Sequence, residues 1–270
     1  MSRPVTALFV VSSLLFARPA GADDIVSLHQ DNYFLTGFSR KHQSKFQVSL
    51  KIDLYPNEGH HSVHFAYSQR SRWNVYDRSQ PFAENNYAPE LFYTYWHRLP
   101  RHEPGAGCSF FRARAGAQHE SNGESYPESR GWNRVYASAR YGCYGEGGER
   151  YVLADLRLWA PPFGTKGNPN IAEYYGYGDL TLSAGSDGTE RWYDAFDLTV
   201  QARKGTRDWG TGSVEVDARW KPPIEVLRRF TPFLAAQLFH GHGETLLRYD
   251  EVVTAFRVGV GFAERSTRAR

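Results

Sequence analysis

Hydrophobic and polar residues alternate along most of the chain after residue 44. The clearest run is 45–54, in which Phe46, Val48, Leu50, Ile52 and Leu54 alternate with polar residues. A period of two predicts a β-strand whose two faces meet different surroundings. Similar runs are separated by clusters of Gly, Pro, Asn and Asp, which favour turns, and no long helical pattern occurs. Strands are predicted near residues 45–54, 60–73, 91–96, 111–121, 132–141, 151–159, 174–183, 192–201, 212–220, 231–239, 245–249 and 254–262.

The two central strands, 111–121 and 132–141, carry unusual polar residues on their apolar faces. Alternation places His119 and Ser121 in phase with the alanines of the first strand, and Asn133 in phase with the alanines of the second. The arginines of both strands take the opposite face. A soluble barrel turns its apolar face inwards, whereas a transmembrane barrel turns that face to lipid and encloses a polar interior. These two strands alone leave both possibilities open.

The N-terminus and the hydropathy favour the membrane. An apolar run from Ala7 to Phe16 is followed by Ala20-Gly21-Ala22, which predicts a cleaved signal peptide over residues 1–22 and an exported protein. Later residues contain no run of ~20 apolar residues, so only strands closed into a barrel could cross a bilayer. The sequence therefore predicts an all-β, transmembrane antiparallel barrel of about 12 strands. Residues 23–43 are expected to form an N-terminal segment against the barrel, 44–262 the barrel itself and 263–270 a C-terminal tail.

Composition adds two limits. Aromatic residues make up 15% of the chain, as interfacial girdles need, although a secreted carbohydrate-binding β-protein would be similar. The formal charge of +3 is too small to indicate nucleic acid as a partner.

The two cysteines, Cys108 and Cys143, suggest a disulfide in an oxidising compartment. If His119 lies opposite Asn133, Cys108 faces residue 144, so a bridge requires a bulge or frayed ends; bridged and free thiols both stay open.

The chemistry of His119, Ser121 and Asn133 is that of a hydrolase. A serine hydroxyl is a weak nucleophile until a base removes its proton, and a histidine two residues away on the same strand face can do so. A third group must hold the imidazole in the correct tautomer, and Asn133 on the next strand can accept from its other nitrogen. A neutral amide also avoids a bare carboxylate facing lipid. The structural alternative is an incidental polar pair at the barrel rim, with Asn133 as a loop-end cap.

These residues lie within motifs that resemble the outer-membrane phospholipase A family. The first two motifs are the His-x-Ser-Asn-Gly stretch at 119–123 and the Ser-Arg-x-Trp-Asn-Arg stretch at 129–134. The resemblance extends over nearly the whole mature chain. Further matching stretches are Lys45-Phe46-Gln47, Tyr67-Ser68-Gln69-Arg70-Ser71, Pro81-Phe82, Asn86-Tyr87-x-Pro89, Asn168-Pro169, Tyr175-Gly176-Tyr177-Gly178 and Gly241-x-Gly243-Glu244.

The resemblance implies a twelve-stranded, calcium-dependent phospholipase A1/A2 of the Gram-negative outer membrane, active as a homodimer on phospholipids and lysophospholipids. It implies that His119 is the base, Ser121 the nucleophile and Asn133 the orienting residue. Calcium ligands would be the carbonyl of Glu124, the hydroxyl of Ser129 and the carbonyl of Ser79 from the partner subunit. It also implies that a polar residue, here Gln69, is buried at the dimer contact.

Departures and alternatives accompany this prediction. Glu124 stands where the family has an arginine, and we hypothesise that its carboxylate adds a calcium ligand or tightens the ion. The loop that holds Ser79 is short for the family, and the chain continues past Phe262 instead of ending at an aromatic residue. One alternative is a non-enzymatic channel or structural barrel. The other, a lipid A deacylase, uses His-x-Ser with a glutamate and a far shorter chain.

Overall fold

A closed antiparallel barrel forms the body of the protein in the computed structural model, which describes residues 26–39, 44–55, 60–97, 106–146, 148–165, 167–187, 195–222 and 230–264. Each barrel strand pairs with its sequence neighbours, and β2 pairs with β13 to close the sheet. The strands are β1 (Val26–Ser27), β2 (Asn32–Ser39), β3 (Ser44–Tyr55), β4 (His61–Trp73), β5 (Phe82–Trp96), β6 (Gly107–Ser121), β7 (Gly131–Tyr144), β8 (Arg150–Ala160), β9 (Gly178–Asp187), β10 (Ala195–Lys204), β11 (Gly212–Trp220), β12 (Phe230–Gly241) and β13 (Val253–Glu264).

The first barrel strand corrects the predicted domain boundaries. Residues 23–43 were expected to lie against the barrel, but β2 is part of it, because Phe34 pairs with Phe46 of β3 and Phe38 with Phe256 of β13. Alternation is hard to see in β2 since inward Leu35 is apolar and 1% exposed, while the outward neighbours include Phe34 and Phe38. The short β1 pairs with the other end of β3 and continues the line of β2.

Three other predicted elements also differ. Residues 245–249 are a buried turn and not a strand, because the Glu84 carboxylate accepts the backbone N–H groups of Leu246 and Leu247, at 2.8 Å each. The strand predicted from residue 174 starts at Gly178, after a short helix α1 (Ile171–Tyr175). The strand predicted from residue 91 starts at Phe82. The predicted signal peptide at 1–22 and residues 265–270 of the predicted tail lie outside the described residues.

The two faces of the sheet have the inverted polarity of a transmembrane barrel. Outward residues form an apolar band, whereas the interior is lined by arginines, carboxylates and amides around a cavity of about 550 Å³. Within the described ranges, no helix is long and apolar enough to cross a membrane. The prediction of a transmembrane β-barrel is confirmed. Outward apolar residues include Val48, Leu91, Val135, Leu158, Leu182, Leu198, Leu238 and Val260.

One end of the barrel, here called the loop end, carries the loops 74–81, 122–130, 161–177, 205–211 and 242–252. Leu246, Tyr249 and the three buried residues of α1 pack there against aromatic residues of the wall. Glu244 ties loop 242–252 to the wall through Arg257, at 2.6 Å. Burial opposes its ionisation, but the guanidinium groups of Arg72 and Arg257 lower the pKa of Glu244 below its ordinary value. The described loops therefore fill the mouth of the barrel at this end.

The disulfide lies at the opposite end. Cys108 and Cys143 are bridged and directly paired, although His119 pairs with Asn133 on the same two strands. Both registers hold because the pairing shifts by one residue between Phe110 and Arg112. The bulge that a disulfide between Cys108 and Cys143 requires is therefore present. Of the two possibilities left open by the sequence, bridged or free thiols, the structure has the bridge.

Candidate active site

The hairpin of β6 and β7 places the three predicted catalytic side chains at its loop end. His119 pairs with Asn133, and Ser121 pairs with Gly131. His119 and Asn133 are exposed on the outward face, and Ser121 is half-buried beside them. His119 Nδ1 lies 2.9 Å from Asn133 Oδ1. With the amide oxygen accepting the Nδ1 proton, Nε2 is left free to act as a base.

The structure brings together one of the two predicted contacts. Among the described residues, the hydrogen bonds of His119 do not include one to Ser121. The two side chains nevertheless lie on one strand face two positions apart, a spacing of about 7 Å along the strand. In unliganded enzymes, catalytic hydrogen bonds are often long and tighten when substrate binds. The geometry is thus compatible with a Ser-His-Asn arrangement in which the serine contact is made only in the complex.

A buried ion-pair network supports the hairpin from the lumen side. Glu120 lies between His119 and Ser121 but points inwards, where it is 1% exposed. Its Oε2 accepts from Arg134 Nη2 at 2.7 Å, and its Oε1 accepts from Arg70 Nη2 at 3.0 Å. Because neighbouring residues of a strand point to opposite faces, this network fixes the backbone that carries the two outward groups.

Asn122 organises the loop that follows Ser121, a role that the sequence did not reveal. It is 2% exposed; its Oδ1 accepts from the Arg130 N–H at 2.8 Å and its Nδ2 donates to the Glu128 carbonyl at 2.8 Å. Gly123 follows with φ of +71°, a conformation that favours glycine. A side chain there would also meet the Tyr87 ring at 2.9 Å. The Asn-Gly pair therefore sets the path of the loop for conformational reasons.

The predicted calcium ligands lie on two loops at the loop end. Glu124 and Ser129 are exposed on loop 122–130, and Ser79 is exposed on loop 74–81. The carbonyl of Glu124 and the hydroxyl of Ser129 form no hydrogen bond to another described residue, whereas the Ser129 carbonyl accepts from Arg130 Nη1 at 2.9 Å. Oxygen atoms of exposed residues that lack a partner among the described residues fit a hard cation that keeps several waters. No group of three or more His, Cys, Asp or Glu side chains in the described ranges could hold a metal, but a site of carbonyl and hydroxyl oxygens would not need one.

Asn168 is a second residue whose role the sequence did not reveal. It is fully buried, and its Nδ2 donates to the Gly131 carbonyl at 2.7 Å, directly across from Ser121. Loop 161–177 is thereby fixed to the start of β7. The Asn-Pro pair at 168–169 belongs to the family-like motifs, but nothing in its spacing indicated a contact with the hairpin of β6 and β7.

Gln69 lies on the outward face, as the predicted dimer contact requires. Its Nε2 is 3.2 Å from Ser71 Oγ, and its Oε1 accepts from Tyr67 at 3.4 Å. Ser71 in turn donates to Asn85 at 2.7 Å. A polar row thus crosses a face that otherwise presents apolar residues to lipid.

A second serine and histidine pair lies in the lumen wall. Ser62 Oγ is 2.7 Å from His64 Nε2, and His64 Nδ1 is 2.6 Å from Asp53 Oδ1. The order of contacts matches a Ser-His-Asp relay. Ser62 is fully buried, however, so its hydroxyl offers no approach for a substrate. We interpret this trio as a structural network of the wall.

Comparisons with known proteins agree with this fold and identify the family. The family model described as Phospholipase A1 matches residues 20–263. A protein of Neisseria meningitidis described as a candidate phospholipase A1 is 31% identical over 84% of this chain, and the match spans 56% of its own length. Escherichia coli phospholipase A1 is 34% identical over 83% of this chain and 70% of its own length.

Solved structures show the same barrel. The outer membrane phospholipase A of Escherichia coli superposes with a TM-score of 0.71 at 23% identity, covering 94% of this chain and 97% of that one. The Salmonella typhi outer membrane phospholipase, solved as a dimer with bound calcium, gives 0.71 at 24% identity, with the same coverage of 94% and 97%. The chain therefore belongs to the phospholipase A1 family, the phospholipases A of the outer membrane.

Proposed function

We propose that the protein is an outer-membrane phospholipase that hydrolyses acyl esters of glycerophospholipids, at the sn-1 and sn-2 positions, and of lysophospholipids. The observation that carries the proposal is the outward pair of His119 and Asn133, joined at 2.9 Å beside Ser121 on the lipid face of a family member. Lipid esters reach this face directly from the bilayer. The export signal at 1–22 remains a prediction that accompanies the outer-membrane location.

The proposed reaction has two steps. Ser121 Oγ attacks the ester carbonyl carbon while its proton moves to His119 Nε2, and the imidazolium then protonates the leaving alcohol. Water, deprotonated by the same nitrogen, attacks the acyl-serine and releases the fatty acid. Asn133 holds the imidazole through Nδ1 during both steps. A solved mutant of the Escherichia coli enzyme, described as an active-site mutant, replaces an asparagine by alanine, which supports a role for an amide in this family.

Calcium is the proposed cofactor. We propose that the Glu124 carbonyl and the Ser129 hydroxyl hold it beside Ser121, because both residues are exposed on the loop that Asn122 organises and neither oxygen has a hydrogen-bond partner among the described residues. The ion, when bound, would stabilise negative charge that develops on the ester oxygen. The Salmonella typhi relative binds calcium. Whether the Glu124 side chain also contributes is tested by Glu124→Gln, for which an unchanged calcium requirement would count against a carboxylate ligand.

A homodimer is the proposed active form. The outward polar row around Gln69 would be costly in lipid and is better satisfied against a second copy. We propose that Ser79 of the partner subunit supplies a further carbonyl to calcium, so that dimer formation completes the site. Monomers should then be nearly inactive. Full turnover by a crosslinker-verified monomer would contradict this.

Two alternatives are less well supported. A channel would need an open lumen, whereas the described loops at the loop end pack Leu246 and Tyr249 into the mouth. A lipid A deacylase would pair its histidine with a glutamate, whereas His119 contacts the amide of Asn133. The inward Glu120 cannot replace that amide because it lies on the other face of β6 and binds Arg134.

The test is release of fatty acid from mixed phospholipid and detergent micelles, with and without a calcium chelator. His119→Ala and Ser121→Ala should each lower kcat by about 10³-fold or more. Asn133→Ala should lower it by less than the about 10⁴-fold that follows loss of a triad carboxylate, since the base remains and a neutral amide orients it without adding charge. His240→Ala is a matched control, because His240 is also an outward, exposed histidine held across strands, at 2.8 Å from Thr254.

The control separates chemistry from folding. His240→Ala should retain kcat within about twofold, as most surface substitutions do. Folding of every variant is checked by the shift in gel mobility between heated and unheated samples. Full activity in folded Ser121→Ala, or activity that is indifferent to the chelator, would overturn the corresponding part of the proposal.

A further inference from the structure

An arginine cluster lines the lumen wall on the side of β6, β7 and β8, away from the lipid face. Strand pairing arranges it in two rows across the sheet. The first row is satisfied internally, because Asp155 accepts from Arg112 at 3.2 Å and from Arg140 at 2.7 Å. The second row consists of Thr94, Arg114, Ser138 and Arg157 on four neighbouring strands.

Arg114 in the second row has no counter-ion. It forms no hydrogen bond or ion pair with any described residue, and its guanidinium lies over the Phe92 ring, 5.0 Å from the centroid. Its Nε is buried without a partner. A guanidinium offers five donors, and enclosing one without an acceptor is unfavourable. The position therefore provides a positive charge with unused donors that face the cavity.

The neighbours of Arg114 also leave donors unused. Thr94 Oγ1 is buried without a partner, and Ser138, which lines the cavity, forms no hydrogen bond to the described residues through its hydroxyl. Arg157 donates to Gln118 at a long 3.4 Å and lies 3.9 Å from Glu90, while its Nε is unpartnered. Two guanidinium groups and two hydroxyls thus share one row of the wall, and within the described residues their one ion pair is the long contact between Arg157 and Glu90.

Nearby carboxylates do not fill this role. Glu90 is occupied by Gln118, at 2.7 Å, and by the Tyr136 hydroxyl. Asp179 pairs in register with Arg157, yet no ion pair joins the two within the described residues. No carboxylate of the described residues lies within ion-pair distance of Arg114. The missing partner of the row is therefore an acceptor that the described part of the chain does not supply.

We propose that Arg114, Ser138 and Arg157 form a binding site for a small oxyanion, inorganic phosphate or a phosphomonoester, inside the lumen. The fork of a guanidinium matches two oxygens of such a group, and a hydroxyl supplies a third donor. The cavity of about 550 Å³ is lined by all three side chains. The site is separate from the proposed hydrolase site, which lies on the other face of the same sheet.

The experiment is isothermal titration of the folded barrel in detergent micelles with inorganic phosphate, at fixed ionic strength maintained with chloride. Saturable binding at one site per chain is expected. Arg114→Gln should weaken it by about 10-fold or more, and Ser138→Ala by about 3-fold, because charge-assisted hydrogen bonds are the stronger ones. Arg150→Gln is the matched control, since Arg150 is an exposed arginine of the same strand as Arg157 and lies at the disulfide end of the barrel.

Glycerol 3-phosphate in a parallel titration identifies the source of the ligand. If glycerol 3-phosphate binds as tightly as phosphate, the site accepts a phosphorylated headgroup. If glycerol 3-phosphate does not bind, the ligand is free phosphate. Both results support the site. Folding is verified by heat-dependent gel mobility, and Ser138→Ala keeps the test valid if Arg114→Gln does not fold. Absence of saturable binding to the wild type, or unchanged binding in the folded Arg114 or Ser138 variants, would overturn the proposal.

Discussion

Replacing Glu120 with glutamine should destabilise the barrel and slow the proposed hydrolysis, although Glu120 points away from lipid. Its carboxylate is buried in the lumen wall between the outward His119 and Ser121. It accepts from two guanidinium groups, those of Arg134 and Arg70. In Glu120→Gln one of the two oxygens becomes a donor and the negative charge is lost, so both guanidinium groups lose their carboxylate.

The two contacts contribute unequally to the expected loss. Arg134 and Glu120 are 2.7 Å apart, with side-chain exposures of 8% and 2%, so this pair is buried. Arg70 lies 3.0 Å from Glu120 but is 41% exposed. Removing one partner of a buried pair costs about 3–5 kcal/mol, and since the amide keeps part of the hydrogen bonding we expect about 3 kcal/mol from Arg134. The screened Arg70 contact adds less than about 1 kcal/mol.

The free energy of unfolding is measured by urea titration of the barrel in lipid vesicles, followed by tryptophan fluorescence. Glu128→Gln is the stability control, because the Glu128 side chain is exposed in the adjacent loop and its replacement should change the free energy by less than about 0.5 kcal/mol. The kcat of folded Glu120→Gln should fall by about 10-fold, since small displacements of catalytic groups are costly. A loss of stability below about 1 kcal/mol, with kcat unchanged, would refute the reasoning.

Three further predictions test other parts of the structure. Reduction of the Cys108–Cys143 bridge, whose cysteines are 35 residues apart, should lower the free energy of unfolding by up to about 4 kcal/mol. Urea titration with and without dithiothreitol measures this change. The kcat should stay unchanged, because the bridge lies at the end of the hairpin opposite His119 and Ser121. A fluorophosphonate probe should label Ser121 but not Ser62, which is fully buried, as peptide mapping by mass spectrometry would detect. Asn168→Ala should lower kcat by about 10-fold with little change in KM, because it loosens the strand opposite Ser121. The first prediction would be contradicted by two free thiols in the untreated protein, and the second by a labelled peptide that contains Ser62. An unchanged kcat in Asn168→Ala would contradict the third.

The sequence predicted the class of fold because alternation survives wherever the two faces differ strongly. It predicted about a dozen strands, but one of them, 245–249, is a turn, and β2 was missed. Alternation fails in β2 because inward Leu35 is as apolar as its lipid-facing neighbours. It misleads at 245–249 because Leu246 and Tyr249 are buried by loop packing and not by a sheet. Local pattern cannot distinguish these causes of burial.

The outward direction of the proposed catalytic groups followed from the period of two, and the structure agrees for His119 and Asn133. What the sequence could not predict are the contacts between distant segments. Asn168 contacts the Gly131 carbonyl from a loop 37 residues further along the chain. Arg70 contacts Glu120 across 50 residues. Such contacts depend on barrel closure and loop packing, which no local period encodes.

The charged interior around Glu120 follows from the placement of His119 and Ser121 on the outward face of β6. Strand alternation means that His119 and Ser121 can both face the bilayer only if Glu120 faces the lumen. A carboxylate enclosed there requires cations, which Arg134 and Arg70 supply from neighbouring strands. These contacts hold the strand that presents the outward groups, where lipid offers them no polar partners of its own. The charged lumen wall around Glu120 is therefore better explained as the support of the proposed lipid-facing site than as the lining of a passage for solutes.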